Sequence, residues 1–213
     1  MDIIKVIIAD DHIIFRKGLS TILNEIGNVK VVGEAANGLE LLELLRKTPA
    51  DVILMDIKMP QMDGIEATRN VIAHYPDIRV IALTMHEEIS YFNKMIEVGA
   101  TGFLLKKTTQ DELEKAIIAV ACDEPYFSEE FMSNVQMNPL IHQRKQPDIQ
   151  LTPREQEVLE LICKGESNPE ISKRLGLSQR TIDGHRARLF EKTGAKNAPH
   201  LVMYAIKNGL IKT

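Results

Sequence analysis

The chain has 213 residues, 44% apolar and 26% charged, with a net charge of −4, the proportions of one or two globular domains. No apolar run approaches membrane-spanning length, and the start Met1-Asp2-Ile3-Ile4-Lys5 lacks the features of a signal peptide, so a cytoplasmic protein with no membrane partner is expected. Cys122 and Cys163 are the only cysteines and lack metal-ligand spacing, so both are expected to be plain thiols. Residues 1–150 hold 15 Lys and Arg against 23 Asp and Glu, net −8, whereas residues 151–213 hold 11 against 7, net +4. An acidic module suited to metal and phosphate chemistry thus precedes a basic one suited to a polyanion.

In chain order, apolar runs at residues 3–9, 29–34, 52–55, 80–84 and 102–105 alternate with helix-length segments whose apolar residues recur three and four apart. Those segments cover about 12–25, 38–47, 64–74, 87–98 and 110–121. Five such repeats predict a doubly wound α/β fold with a five-stranded parallel sheet and right-handed crossovers. Ligands of such sheets gather at the carboxyl ends of the strands, where strand order reverses.

The stretch from Asp51 to Gly64 is the most informative. Val52 to Met55 is continuous in apolar character, as in a strand buried on both faces, and Asp56 ends it. A carboxylate there is costly unless a cation pairs with it or the tip opens to solvent. Lys58-Met59-Pro60 and Asp63-Gly64 then punctuate a turn. Taken alone, this stretch reads first as a solvated Asp at a strand end. The other tips add Asp10-Asp11 after the first strand, Thr84 at the end of the fourth and Lys106 after the fifth. Three carboxylates around one point call for a hard divalent cation with oxygen ligands, and a hydroxyl with an ammonium completes a cradle for a phosphoryl group.

On these residues, residues 1 to about 121 resemble the receiver domain of two-component response regulators. Asp10-Asp11, Asp56 in Asp-x-x-Met-Pro-x-x-Asp-Gly, Leu83-Thr84-Met85-His86 and Gly102-Phe103-Leu104-Leu105-Lys106 stand in the family's order and spacing. The resemblance implies a flavodoxin-like sheet in which Asp56 takes a phosphoryl group from a histidine kinase. Asp11 and Asp56 would ligate Mg²⁺ directly with the Lys58 backbone carbonyl, and Asp10 largely through water. Thr84 and Lys106 would bind the phosphoryl oxygens. Thr84 and Phe103 would form a switch pair, which without a Tyr hydroxyl must signal by packing. Lys58 and His86 would flank the path of attacking water and tune self-dephosphorylation.

Patterning lapses over 123–150, where Pro125, Pro139 and Pro147 and the polar run at 142–146 predict a linker between a first domain at 1–122 and a second at 151–213. The second domain reads as a small all-α unit of four helices. Thr152-Pro153-Arg154-Glu155 is a capping box, Asn168-Pro169 opens a second helix, Gly176-Leu177-Ser178 turns into an Arg-rich third, and about 198–208 forms the fourth. This is a helix-turn-helix pattern, whose second member enters the DNA major groove.

Leu151-Thr-Pro-Arg-Glu-Gln-Glu-Val-Leu, Ser167-Asn-Pro-Glu-Ile-Ser and Leu177-Ser-Gln-Arg-Thr-Ile-Asp-Gly-His-Arg are similar to the DNA-binding domain of NarL/LuxR-type regulators. Arg180, Arg186, Arg188 and Lys192 are the expected DNA cations, with Ser178, Thr181, Asp183 and Gly184 on the same helix as further contacts. Asp183 stands where the family commonly has Lys. Asp183-Gly184 alone would signal a turn, but Ile182 and Leu189, seven apart, predict that the helix runs through at about 1 kcal/mol for the glycine. The expected function is a non-enzymatic response regulator whose phosphorylation controls dimeric, sequence-specific binding of double-stranded DNA. A metal-dependent phosphotransferase is disfavoured by Lys58, which stands where a second acidic residue would follow Asp56. A protein-binding adaptor that no longer binds DNA is the remaining alternative, encouraged only by Asp183.

Overall fold

Apolar runs of four to seven residues become strands because a parallel sheet covered on both faces buries the side chains of its central strands on either side. The computed structural model describes residues 3–85, 89–128, 149–195 and 197–211, in two units, 1–131 and 132–213. In the first, β1 (Ile4–Ala9), β2 (Val29–Ala35), β3 (Val52–Asp56), β4 (Arg79–Thr84), β5 (Gly102–Leu105) and β6 (Tyr126–Phe127) form one sheet. Their order is β2-β1-β3-β4-β5-β6 and every neighbouring pair is parallel. Helices α1 (Ile13–Glu25), α2 (Gly38–Leu45), α3 (Gly64–His74), α4 (Ile89–Val98) and α5 (Gln110–Ala121) connect the strands. α1 packs against α5, while α2 meets α3 and α3 meets α4.

Strand alternation divides the core between the two faces. Val6, Ile8, Val52, Leu54, Ile81, Leu83 and Leu104 pack with Leu19 and Leu23 of α1 and Leu113 and Ile117 of α5. Phe103, on the other face, is fully buried and meets Phe92 of α4 edge-on at 5.0 Å. Strand order reverses between β1 and β3, so the crevice for a ligand opens where Asp10 and Asp56 emerge.

The sheet has six strands where the sequence predicts five. Tyr126 and Phe127 pair with Gly102 and Phe103. Two residues are too few to show a period, and they follow a turn in which Asp123 adopts a left-handed φ of 64°. Asp123 is held by an ion pair with Arg79 at the start of β4, a contact between residues far apart in sequence. The predicted linker lies mostly outside the described residues, which omit 129–148.

The second unit contains α6 (Pro153–Cys163), α7 (Asn168–Leu175), α8 (Gln179–Thr193) and α9 (Ala198–Lys207), the four helices expected. Val158, Leu159, Ile171, Ile182, Leu189, Leu201 and Ala205 are buried in its core. α8 continues through Asp183-Gly184 because Ile182 and Leu189 are anchored on its inner face. Gly176 ends α7 with a left-handed φ of 64°, a conformation that costs glycine least.

One capping device recurs across both units: a polar residue at the helix N-cap with Glu three residues on. Asn37, Asp63, Thr109 and Thr152 accept from the backbone N–H of Glu40, Glu66, Glu112 and Glu155. Glu170 instead accepts from the backbone N–H and hydroxyl of Ser167, each at 2.8 Å. Each cap is worth about 1 kcal/mol. Cys122 is exposed and Cys163 half-buried, and neither forms a disulfide.

Candidate functional site

The strand tips bring the predicted acidic residues together. Asp10 directly follows β1, fully buried, with its backbone N–H donating to the Ala35 carbonyl at 3.0 Å. Asp56 is the last residue of β3 and also buried; its Oδ1 accepts from the Ile57 N–H at 2.9 Å. Lys106, just past β5, extends an almost fully buried side chain into this space. Its Nζ lies 2.7 Å from Asp10 Oδ2 and 3.0 Å from Asp56 Oδ2. The Lys106 backbone is fixed by its N–H donating to the Thr84 carbonyl at 2.8 Å, and its ammonium sits 4.9 Å from the Phe15 ring centroid.

Ligand atoms of Asp10, Asp11, His12 and Asp56 all lie within 4.8 Å of one another. His12 is a member that sequence reasoning did not single out. Its Nδ1 lies 2.8 Å from Asp11 Oδ1 and 3.3 Å from Asp10 Oδ1, and its position directly after Asp10-Asp11 was the available signal. Burial raises the Asp56 pKa above the ordinary carboxylate value; Lys106 opposes that rise and Asp10 adds to it. Three carboxylates against one ammonium leave a surplus of negative charge. Hard oxygen donors so crowded fit Mg²⁺, which takes few protein ligands and keeps room for phosphate oxygens.

Thr84 is buried at the tip of β4. Phe103 is likewise buried, and its neighbour Phe92 also meets Phe127 of β6 at 5.5 Å. Lys58 is exposed, with its ammonium 4.9 Å from the Tyr91 ring centroid. His86 lies outside the described residues. At the rim, Ile13 and Ile14 of α1 are 65% and 89% exposed, side by side just past the acidic pair.

In the second unit, the four predicted DNA cations divide into two pairs. Arg180 and Arg188 are exposed on α8. Arg186 is half-buried and donates to Asn168 Oδ1. Lys192 is exposed but engaged: its ammonium lies 2.6 Å from Glu155 Oε2 and donates to the Gln150 carbonyl at 3.0 Å. Glu155 is only 2% exposed. Burial alone would raise its pKa, but hydrogen bonds from Lys192 and from the Thr152 backbone and hydroxyl, with the Lys192 charge, outweigh it and hold the carboxyl below its ordinary value. Ser178 caps α8, accepting from the Thr181 N–H at 3.1 Å, with the two hydroxyls 2.8 Å apart. Asp183 Oδ1 accepts from Asn168 Nδ2 at 2.8 Å. Gly184 lies beside it with open space where a Cβ would stand. Asn168 was not singled out by sequence reasoning, because its partners are 15 and 18 residues away.

Residues 6–118 match the family described as the response regulator receiver domain, and residues 149–205 match bacterial regulatory proteins of the luxR family. The chain is 34% identical over 225 residues to the transcriptional regulatory protein DegU of Brevibacillus brevis, covering 98% of this chain and 95% of that one. It is similar to a solved structure of the RcsB response regulator of Salmonella typhimurium, with a TM-score of 0.61 and 30% identity over 96% of this chain and 98% of that one. A structure of two RcsB dimers bound to two parallel DNAs matches with a TM-score of 0.60 and 29% identity, covering 97% and 99%.

Proposed function

This chain belongs to the response regulators that join a receiver to a LuxR-type DNA-binding domain, and from that premise we propose that phosphorylation of Asp56 controls its binding to DNA as a dimer. The reading places a cytoplasmic receiver at 1–122 and the DNA-binding domain at 151–213, joined by a linker. The observation that carries it is the Lys106 ammonium held between Asp10 and Asp56 at the strand-order reversal.

Phosphoryl transfer asks for position and charge neutralisation more than for covalent chemistry by the protein. Asp56 offers a carboxylate oxygen to phosphorus as the bond from phosphorus to a kinase imidazole nitrogen breaks; that nitrogen keeps the electron pair and takes up a proton. Lys106 offsets charge on the phosphoryl oxygens, and the Thr84 hydroxyl donates to one of them. Asp10, Asp11, Asp56 and the Lys58 carbonyl would hold Mg²⁺, which when bound supplies further neutralisation of those oxygens. The exposed Ile13-Ile14 pair suits a protein phosphodonor, because an apolar rim gains from burial against a partner surface.

The phosphoryl group adds about 1.5 to 2 negative charges at a buried point and draws Thr84 and Lys106 towards it. Phe103 follows by packing, and its edge-on contact with Phe92, and that of Phe92 with Phe127, supports relay to α4 and β6. Lys58 and His86 tune how long the phosphoryl group survives. Arg180 and Arg188 supply phosphate contacts, with Arg186, Ser178, Thr181 and Gly184 near the groove. The similarity to DNA-bound RcsB dimers supports binding as a pair. The protein acts as a phosphoacceptor, with at most weak autophosphorylation and self-dephosphorylation.

The test is selection of bound fragments from random DNA, with and without beryllofluoride and Mg²⁺, using the intact chain and an Asp56→Asn variant. A repeated motif whose enrichment rises with beryllofluoride, and only with Asp56 present, is the expected result. Enrichment indifferent to beryllofluoride would remove the phosphorylation control.

A further inference from the structure

An exposed carboxylate on the groove-facing helix of a basic domain is unfavourable towards phosphates and needs a reason. Asp183 is the fifth residue of α8, within the N-terminal part that in helix-turn-helix proteins meets base edges. It points away from the core formed by Ile182 and Leu189. Its Oδ1 accepts from Asn168 Nδ2 at 2.8 Å, and Asn168 Oδ1 in turn accepts from Arg186. Both ends of the Asn168 amide are therefore specified, with the NH₂ towards a carboxylate and the oxygen towards a guanidinium. Among the described residues, Asp183 Oδ2 has no such partner.

We propose that Asp183 accepts a hydrogen bond from a cytosine amino group in the major groove, and that Asn168 is the positioning residue that aims it. This rests on the DNA-binding reading above and adds the base that is read. Three observations favour it. The groove edge of cytosine presents an amino donor, which a carboxylate can accept, whereas guanine presents acceptors that repel it. Asp is short and reaches a base only where the helix backbone comes close. Gly184 permits that approach: it sits within the helix at a cost, yet a Cβ there would meet nothing within 4 Å, so no packing in the fold requires glycine. Finally, Arg186, one turn beyond Asp183, supplies a cation through the same amide, which offsets the repulsion between carboxylate and phosphates.

The alternative is a clamp that merely joins α7 to α8. A clamp changes thermal stability and affinity for all sequences alike; a reader changes preference at one base pair. The test is fragment selection on the full chain with beryllofluoride and Mg²⁺, comparing wild type, Asp183→Asn and Asn168→Ala, with a thermal melt of each. Wild type should enrich a motif with cytosine at one position of each half-site. In Asp183→Asn that position should move to adenine, whose N6 and N7 suit an amide. Asn168→Ala should lower the cytosine preference about five- to tenfold, the low end of what one base contact discriminates. An unchanged motif for Asp183→Asn, or a uniform loss of affinity for Asn168→Ala, would overturn the proposal while leaving the DNA-binding reading intact. No motif from wild type would overturn both. Asp183→Asn is isosteric and exposed, so it decides the matter even where Asn168→Ala melts early.

Discussion

Each unit contains a lysine drawn onto a buried carboxylate: Lys106 on Asp56 at 3.0 Å and Lys192 on Glu155 at 2.6 Å. The carboxyls nevertheless move in opposite directions, Asp56 above its ordinary value and Glu155 below it. In the receiver, one ammonium is shared between Asp10 and Asp56, and burial of Asp56 prevails. In the DNA-binding domain, one carboxylate receives the Lys192 ammonium and the Thr152 backbone N–H, while the Thr152 hydroxyl accepts from the Glu155 backbone N–H. The first site is left with a surplus of negative charge that a divalent cation can offset, whereas the second is satisfied and acts as a fastening. Similar distances therefore mark function in one place and stability in the other, and what separates them is whether burial or the surrounding donors prevail.

Substituting each lysine tests that contrast most strongly. Lys106→Ala should reduce phosphoryl uptake by Asp56 about 10²- to 10³-fold, the usual effect of removing one preorganised electrostatic partner, measured as label transferred from a phosphorylated kinase. Lys192→Ala should leave that uptake unchanged; a comparable loss would break the comparison.

The next effect is steric. A Cβ on Gly64 would stand 2.0 Å from the Asp56 backbone oxygen, so Gly64→Ala must displace the end of β3. A cost of about 3 kcal/mol is expected from such overpacking, read from denaturant unfolding of the receiver. Gly184→Ala is its counterpart, with open space at the same atom, and should stabilise its unit by about 1 kcal/mol. Equal destabilisation of the two variants would show that Gly184 has a packing role after all.

Glu155→Gln should cost its unit about 2 kcal/mol by removing the ionic partner of Lys192. It should also change the response to acid. The carboxyl is held below its ordinary value when folded, so its contribution is complete above the ordinary carboxylate range and is lost as pH falls through the lowered folded value. Wild type should therefore lose stability below about pH 4 more steeply than Glu155→Gln, followed by calorimetry of the second unit. Parallel pH profiles would show that the pair is not fastened by charge.

The smallest effect is on binding alone. Arg188→Ala should reduce the salt slope of DNA binding by about 1 and leave unfolding unchanged. The same substitution at Lys192 should lower stability more than the salt slope.

Much of this was legible in the order of residues. Asp56, Thr84 and Lys106 each terminate or follow an apolar run, so strand period and strand end together place them at one edge of the sheet. α3, α5 and β5 occupy the predicted residues because Asp63, Thr109 and Gly102 are local punctuation. β6 was not legible, since a two-residue strand has no period and its place depends on a β5 edge more than 20 residues earlier.

The sequence by itself determined the two modules, their charge, the strand tips and the helix ends. All of these follow from neighbours within a few positions, through periodicity, capping and turn chemistry. Only the tertiary structure decided which charges meet. Lys192 and Arg186 look alike in sequence to Arg180 and Arg188, yet one pair is engaged within the fold and the other lies open to a polyanion. Their partners, Glu155 and Asn168, are 37 and 18 residues away, and the pairing arises only when helix packing brings those segments together.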